Sequence, residues 1–191
     1  MSKLRVFNTV SLDGYFTDAK GDMSWAHKHD PEWMEFVSSN ASSGGGVTFL
    51  FGRVTYDMMK GYWPSPAAQK NDPVVAQAMN ETPKVVFSRT LDTASWQNTR
   101  LVKGDIAAEV QKMKRGSGPD MLIMGSGTIV SQLTAAHLID EYQLVVNPVV
   151  LGAGRTMFEG VPGKVGLTLE KTRTFKNGNI VSWYVPAKSS A

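Results

Sequence analysis

Gly125-Ser126-Gly127-Thr128 follows the apolar run Met121-Leu122-Ile123-Met124 and opens into Ile129-Val130-Ser131-Gln132-Leu133. A buried strand, a tight turn and a helix start in that order leave backbone N–H groups without intrahelical acceptors, which suits a phosphate. The same glycines also suit a close helix–strand crossing, and the residues alone leave both readings open. Val130 stands where the G-x-G-x-x-G fingerprint has its third glycine, and the turn comes late in the chain. The usual dinucleotide fold is therefore not indicated.

Two further strand-to-helix junctions carry chemistry of the same kind. Gly52-Arg53-Val54-Thr55 follows Val47-Thr48-Phe49-Leu50-Phe51 and offers a guanidinium fork, a hydroxyl and helix N–H donors. Ser88-Arg89-Thr90 follows Lys84-Val85-Val86-Phe87 and places two hydroxyls and a guanidinium beyond a strand end. Such a group could hold the extra ribose phosphate that separates NADP from NAD. A capped helix with a solvated arginine and a polar loop are the plainer readings of these two stretches. Recurrence at three strand ends favours phosphate recognition over coincidence.

Other reactive patterns lead nowhere comparable. His27, His29 and Asp30 could ligate zinc, but no matching cluster follows downstream, so a surface loop and no metal are expected. With no cysteine there is no disulfide, thiol nucleophile or thiolate site. His137 closes the helix after the glycine turn, where a cation suits the dipole.

The elements that must position these residues follow from periodicity. Leu4 to Val10 reads as a strand ended by Asp13-Gly14, and Pro31 to Ser38 as a helix with Trp33, Phe36 and Val37 on one face. Gly44 to Gly46 reads as a flexible joint. A helix holds Thr55, Tyr56, Met58 and Met59; another spans Asn71 to Glu81; Asp105 caps a third through Ile106, Val110 and Met113. The chain then turns β-rich over Tyr142 to Val150, Val165 to Phe175 and Ile180 to Val185, with Asn177-Gly178 as a hairpin signal. Strands alternating with helices, then a hairpin, predict one α/β domain over 1–187, a mixed sheet flanked by helices, and a tail over 188–191.

Composition agrees. A chain of 191 residues, 42% hydrophobic and 19% charged, suits one soluble core. No apolar run reaches the ~20 residues of a membrane span, and no secretory leader is expected, which makes the cytoplasm the expected location. The net charge of +3 comes from scattered residues. The densest cluster, Lys112-Met113-Lys114-Arg115, ends a predicted helix, so a nucleic-acid partner is not expected.

The order Ser11-Leu12-Asp13-Gly14-Tyr15-Phe16, Gly52-Arg53-Val54-Thr55-Tyr56 and Val85-Val86-Phe87-Ser88-Arg89-Thr90 resembles the dihydrofolate reductase-like superfamily. Met124 to Gly127, Leu138-Ile139-Asp140-Glu141-Tyr142 and Pro148 to Gly154 are similar to its riboflavin-biosynthesis reductase branch. The resemblance implies a three-layer fold on a mixed sheet of about eight strands, a stand-alone NADPH-dependent reductase and often a homodimer. It implies that Gly52, Arg53 and Thr55 serve the cofactor phosphates, and Ser88, Arg89 and Thr90 the 2′-phosphate side. Gly125, Ser126, Gly127 and Thr128 would then meet the pyrophosphate, with Ser126 in place of a common glycine.

Hydride transfer needs an acceptor carbon held against the nicotinamide and usually a proton donor. Asp13 matches an aspartate that this branch places near the nicotinamide, although Asp-Gly also simply forms turns. Glu32, four residues before Phe36, reproduces a pterin-binding spacing, with Glu35 as an alternative. Phe16, Trp25 and Trp33 could wall a flat heterocycle or serve the core. The expected substrate is a small heterocycle of pteridine or ribosylaminopyrimidine type, reduced at C=N or C=O. No dedicated basic cluster for a substrate phosphate stands out, so a nucleotide-binding protein without turnover is the alternative.

Overall fold

The computed structural model describes residues 1–26, 30–43 and 46–188. His27, Lys28, His29, Gly44, Gly45 and the tip of the tail lie outside them, and with them the histidine pair and most of the glycine joint.

Strands β1 (Leu4–Ser11), β2 (Tyr15–Asp18), β3 (Val47–Gly52), β4 (Lys84–Phe87), β5 (Thr99–Val102), β6 (Asp120–Met124), β7 (Glu141–Asn147), β8 (Gly154–Thr156), β9 (Leu167–Thr174) and β10 (Ile180–Pro186) carry the sheets. Helices are α1 (Pro31–Ser43), α2 (Arg53–Tyr62), α3 (Pro66–Asn71), α4 (Pro73–Glu81), α5 (Ile106–Arg115) and α6 (Gly127–Ala135). The main sheet has eight strands in the order β5-β4-β3-β6-β1-β7-β10-β9. Its first six are parallel to one another, and β10 runs antiparallel between β7 and β9. A separate ribbon pairs β2 with β8.

Alternation along the strands sets the layers. Leu4 and Val6 on β1, Leu50 on β3 and Ile123 on β6 pack with Val110 of α5 and Ile129, Val130 and Leu133 of α6. Phe49 and Phe51 face the other way, onto Tyr56 of α2 and Val75 and Met79 of α4. On that same side, Trp33 and Phe36 of α1 meet Val145, Val181 and Phe175. The sheet is thus sandwiched between two helical layers, the fold expected above, and the chain ends in the expected antiparallel hairpin. Among the described residues no helix is long and apolar enough to cross a membrane.

Several expected boundaries move for identifiable reasons. The Asn71 to Glu81 helix starts only at Pro73, because Asp72 precedes a proline and leaves the helical region at φ −138, ψ 61, and a short helix that was not expected, α3, ends at Asn71. Helix α1 runs on to Ser43 because its second half lies against α4. The Tyr142 strand stops at Asn147, since Pro148 has no N–H for the ladder. Strands β2, β5 and β8 were not expected: at three to four residues they carry no clear period. Strand β4 matches its expected span, and Asp105 caps α5 by accepting the Ala108 N–H at 2.7 Å.

Candidate functional site

The three junctions meet. Strands β4, β3 and β6 are neighbours in the sheet and all parallel, so their C-terminal ends lie side by side. At about 4.8 Å per strand they span roughly 10 Å, the scale of a pyrophosphate with an adjoining ribose phosphate. This is the sheet edge where ligands collect in open α/β folds.

Side chains bind the junctions together. Ser126 Oγ accepts the Gly52 N–H at 2.8 Å, while the Ser126 N–H donates to Thr55 Oγ1 at 3.0 Å. From β1, Asn8 grips the next residue: its Oδ1 accepts the Gly125 N–H at 2.5 Å and its Nδ2 donates to the Gly125 carbonyl at 3.2 Å. Arg53 Nε pairs with Asp57 at 2.5 Å, and Nη1 reaches Thr90 Oγ1 at 3.4 Å, linking the β3 and β4 ends. Ser88 Oγ accepts the N–H groups of Thr90 and Leu91, at 3.3 and 3.0 Å.

The glycines turn out to serve packing. Gly125 has φ 63, and a Cβ there would sit 3.0 Å from Thr55 Cγ2. A Cβ on Gly127 would lie 2.7 Å from the buried Phe16 ring. Thr55, Ser126 and Gly127 are buried, so the groups that face outward are Arg53, Arg89, Thr90 and Thr128. Arg89 has no carboxylate within ion-pair distance among the described residues. These donors, with the first N–H groups of α6, fit a polyanionic cofactor by number and kind.

Beside α6 a cleft of about 350 Å³ is lined by Phe16, Thr128, Gln132, Arg155 and Glu159 among others. Sequence reading missed Asn8, Gln132 and Arg155. Asn8 sits inside an apolar strand, and Arg155 reaches α6 only through the β2–β8 ribbon.

The expected substrate-side residues do not gather. Asp13 accepts the Ser11 hydroxyl at 2.6 Å and the N–H groups of Leu151 and Gly152, at 3.1 and 2.7 Å. The Ser11 hydroxyl foremost, with these backbone donors, holds its carboxyl below the usual carboxylate range against a smaller opposing effect of burial. Glu32 faces the β9–β10 hairpin instead, 3.4 Å from Arg173 Nη2 and 3.2 Å from the Lys176 N–H. Phe16 belongs to the core under α6, and Trp33 to the aromatic cluster across the sheet. Trp25 is half-buried in a short turn, its indole N–H donating to the Asp22 carbonyl. The three rings therefore form no common wall. Asn147 and Asn179, at the ends of β7 and β10, are wholly buried, and neither amide has a hydrogen-bond partner among the described residues.

Known proteins share this fold. YyaP of Bacillus subtilis (strain 168), an uncharacterized protein, is 29% identical over 171 residues, 88% of this chain and 87% of YyaP. A putative riboflavin biosynthesis protein from Shewanella sp. PV-4 superposes with a TM-score of 0.74 at 20% identity, covering 97% of this chain and 99% of that one. Dihydrofolate reductase from Enterococcus faecalis, solved with NADP(H), superposes with a TM-score of 0.62 at 14% identity over 97% of each chain. At such identities the superpositions speak for the fold, which is dihydrofolate reductase-like. Residues 2–181, which include all three junctions, match the RibD C-terminal domain, and the chain belongs to that family.

Proposed function

We propose that the protein is an NADPH-dependent oxidoreductase that reduces a C=N or C=O bond of a small heterocyclic metabolite, of pteridine or ribosylaminopyrimidine type. The observation that carries this reading is the convergence of the three junctions on adjacent strand ends. Arg89, Ser88 and Thr90 would hold the 2′-phosphate, and Arg53, Thr128 and the start of α6 the other phosphates. When bound, the cofactor supplies a hydride to an electrophilic carbon. This chain positions the acceptor. Asp13, kept ionised by Ser11 and the Leu151–Gly152 backbone, orients the β1–β2 turn against the loop after β7, so the proton for the reduced heteroatom comes from water.

Arg89→Ala tests the cofactor assignment. NADPH affinity, read by fluorescence titration, is expected to fall at least tenfold more than NADH affinity. An equal loss for both removes Arg89 from the 2′-phosphate, and no NADPH binding by the unaltered chain sinks the whole reading.

A second reading, a nucleotide-binding protein without turnover, is favoured by one observation: both expected acids are engaged in structural contacts. NADPH oxidation with any member of a pterin and pyrimidine panel decides against it. Binding without oxidation across the panel decides for it.

A further inference from the structure

A groove of about 500 Å³ opens between α1 and the β9–β10 hairpin, on the α1 face of the sheet. It lies at the end of the strands away from the glycine turn. Arg5 lines it, whereas Asn8, which grips Gly125, lies three residues further along β1, about 10 Å away at 3.3 Å per residue, and α6 packs on the opposite face of the sheet. Its contents are therefore separate from the proposed cofactor cleft.

Three cations from distant parts of the sequence converge here: Arg5, Lys171 and Arg173. Arg173 is tied to Glu32 and lies over Phe175, its guanidinium carbon 4.5 Å from the ring centroid. The other two are poorly matched. Arg5 has only a 3.8 Å contact to Asp120, and Lys171 rests 4.4 Å above the Trp183 ring with no carboxylate in ion-pair range among the described residues. Glu141 and Glu170 also line the groove, but neither forms an ion pair with these cations.

Two donors in the lining, Arg5 Nε and Gln143 Nε2, are buried and lack an acceptor among the described residues. Buried polar groups left unpaired in a folded protein call for a water, an ion or a ligand. The unmet demand is for acceptor oxygens, beside Arg5 and Lys171, two cations that no close ion pair holds. The volume far exceeds the ~30 Å³ of a single water and falls in the range of small-molecule sites. Trp183 and Phe36 give the walls apolar, flat surfaces.

We propose that this groove is a second binding site, for a small organic oxyanion that carries a flat ring. Its oxyanion meets Arg5, Gln143 and Lys171, and its ring packs against the contacting Phe36–Trp183 pair.

Benzoate, phenyl phosphate and uncharged benzyl alcohol test this when titrated into the full chain, observed by proton–nitrogen correlation spectra. The Trp183 indole N–H and the Gln143 side-chain amide report on the groove. Saturable shifts of both signals by either anion at millimolar concentration are expected, and which anion acts selects carboxylate or phosphate. Benzyl alcohol should bind at least tenfold more weakly. Lys171→Gln, an exposed position, should weaken the anion at least fivefold, and Arg89→Ala should leave it unchanged. No saturable shift, equal binding of all three probes, or insensitivity to Lys171→Gln overturns the proposal. Loss in Arg89→Ala alone assigns the binding to the strand C-terminal ends and overturns it too.

Discussion

Ser126 shows how much one side chain can hold. It lies in the left-handed region, at φ 58 and ψ 54, where a residue other than glycine costs about 1 kcal/mol. Its hydroxyl offsets that cost by satisfying the Gly52 N–H. Ser126→Gly relieves the strain but orphans the same N–H, so it should cost about 1 kcal/mol in urea denaturation. Ser126→Ala keeps the strain and orphans the N–H, so it should cost about 2 kcal/mol. Equal stabilities of the two variants would contradict this account. Asp13 predicts a pH dependence. Its folded-state pKa lies below the ordinary carboxylate value, so the stability it contributes is present above that ordinary value and is lost as the pH falls through the folded one. The gap in melting temperature between the unaltered chain and Asp13→Asn should be full at pH 7 and shrink as the pH falls below about 4. A gap that does not shrink at all as the pH is lowered from 7 to about 2 would rule the ionic contribution out.

At the scale of elements, helix α4 and strand β4 are joined by a buried lysine. Lys84 is 1% exposed, and its Nζ donates to the carbonyls of Met79, Asn80 and Thr82 at 2.8, 3.0 and 2.6 Å. These are carbonyls of the last turn of α4 and its cap, groups that a helix cannot satisfy by itself. Burial pushes the ammonium down to about 8, which leaves it mostly protonated at neutral pH, and Trp96 lies 4.5 Å beneath it. Lys84→Met fills similar space but removes the donor, and should cost about 3 kcal/mol in urea denaturation. An unchanged midpoint would mean that water satisfies those carbonyls. Gly127 makes the equivalent link between α6 and Phe16. A methyl group there must displace the ring, so Gly127→Ala should lower stability by about 2 kcal/mol. A neutral effect would show that the ring can move aside freely.

Across the whole molecule, the three apolar clusters share one continuous sheet rather than separate cores. Each strand pair then transmits the loss of one cluster to the next. Thermal unfolding followed by far-UV and near-UV circular dichroism should therefore give one coincident transition. Two resolved transitions would divide the molecule and overturn the single-domain expectation.

The amino-acid sequence by itself determined which local elements form and which motifs sit at their ends. Apolar alternation marks β1, a continuous apolar run marks β3, Asp105 caps α5, and Asn177-Gly178 turns the final hairpin. These depend on neighbours a few residues away, and so did the three phosphate-side junctions. Only the tertiary structure decided that the junctions share one edge, because strand order depends on packing between β4, β3 and β6, not on their succession in the chain. It also turned the glycines from open space into contact surface for Thr55 and Phe16, and sent Glu32 to the hairpin. The basic cluster absent from the linear sequence appears only when β1 and β9 bring Arg5, Lys171 and Arg173 to one groove. Long-range contacts of that kind leave no period or spacing in a chain, since each residue is chosen by partners more than a hundred positions away.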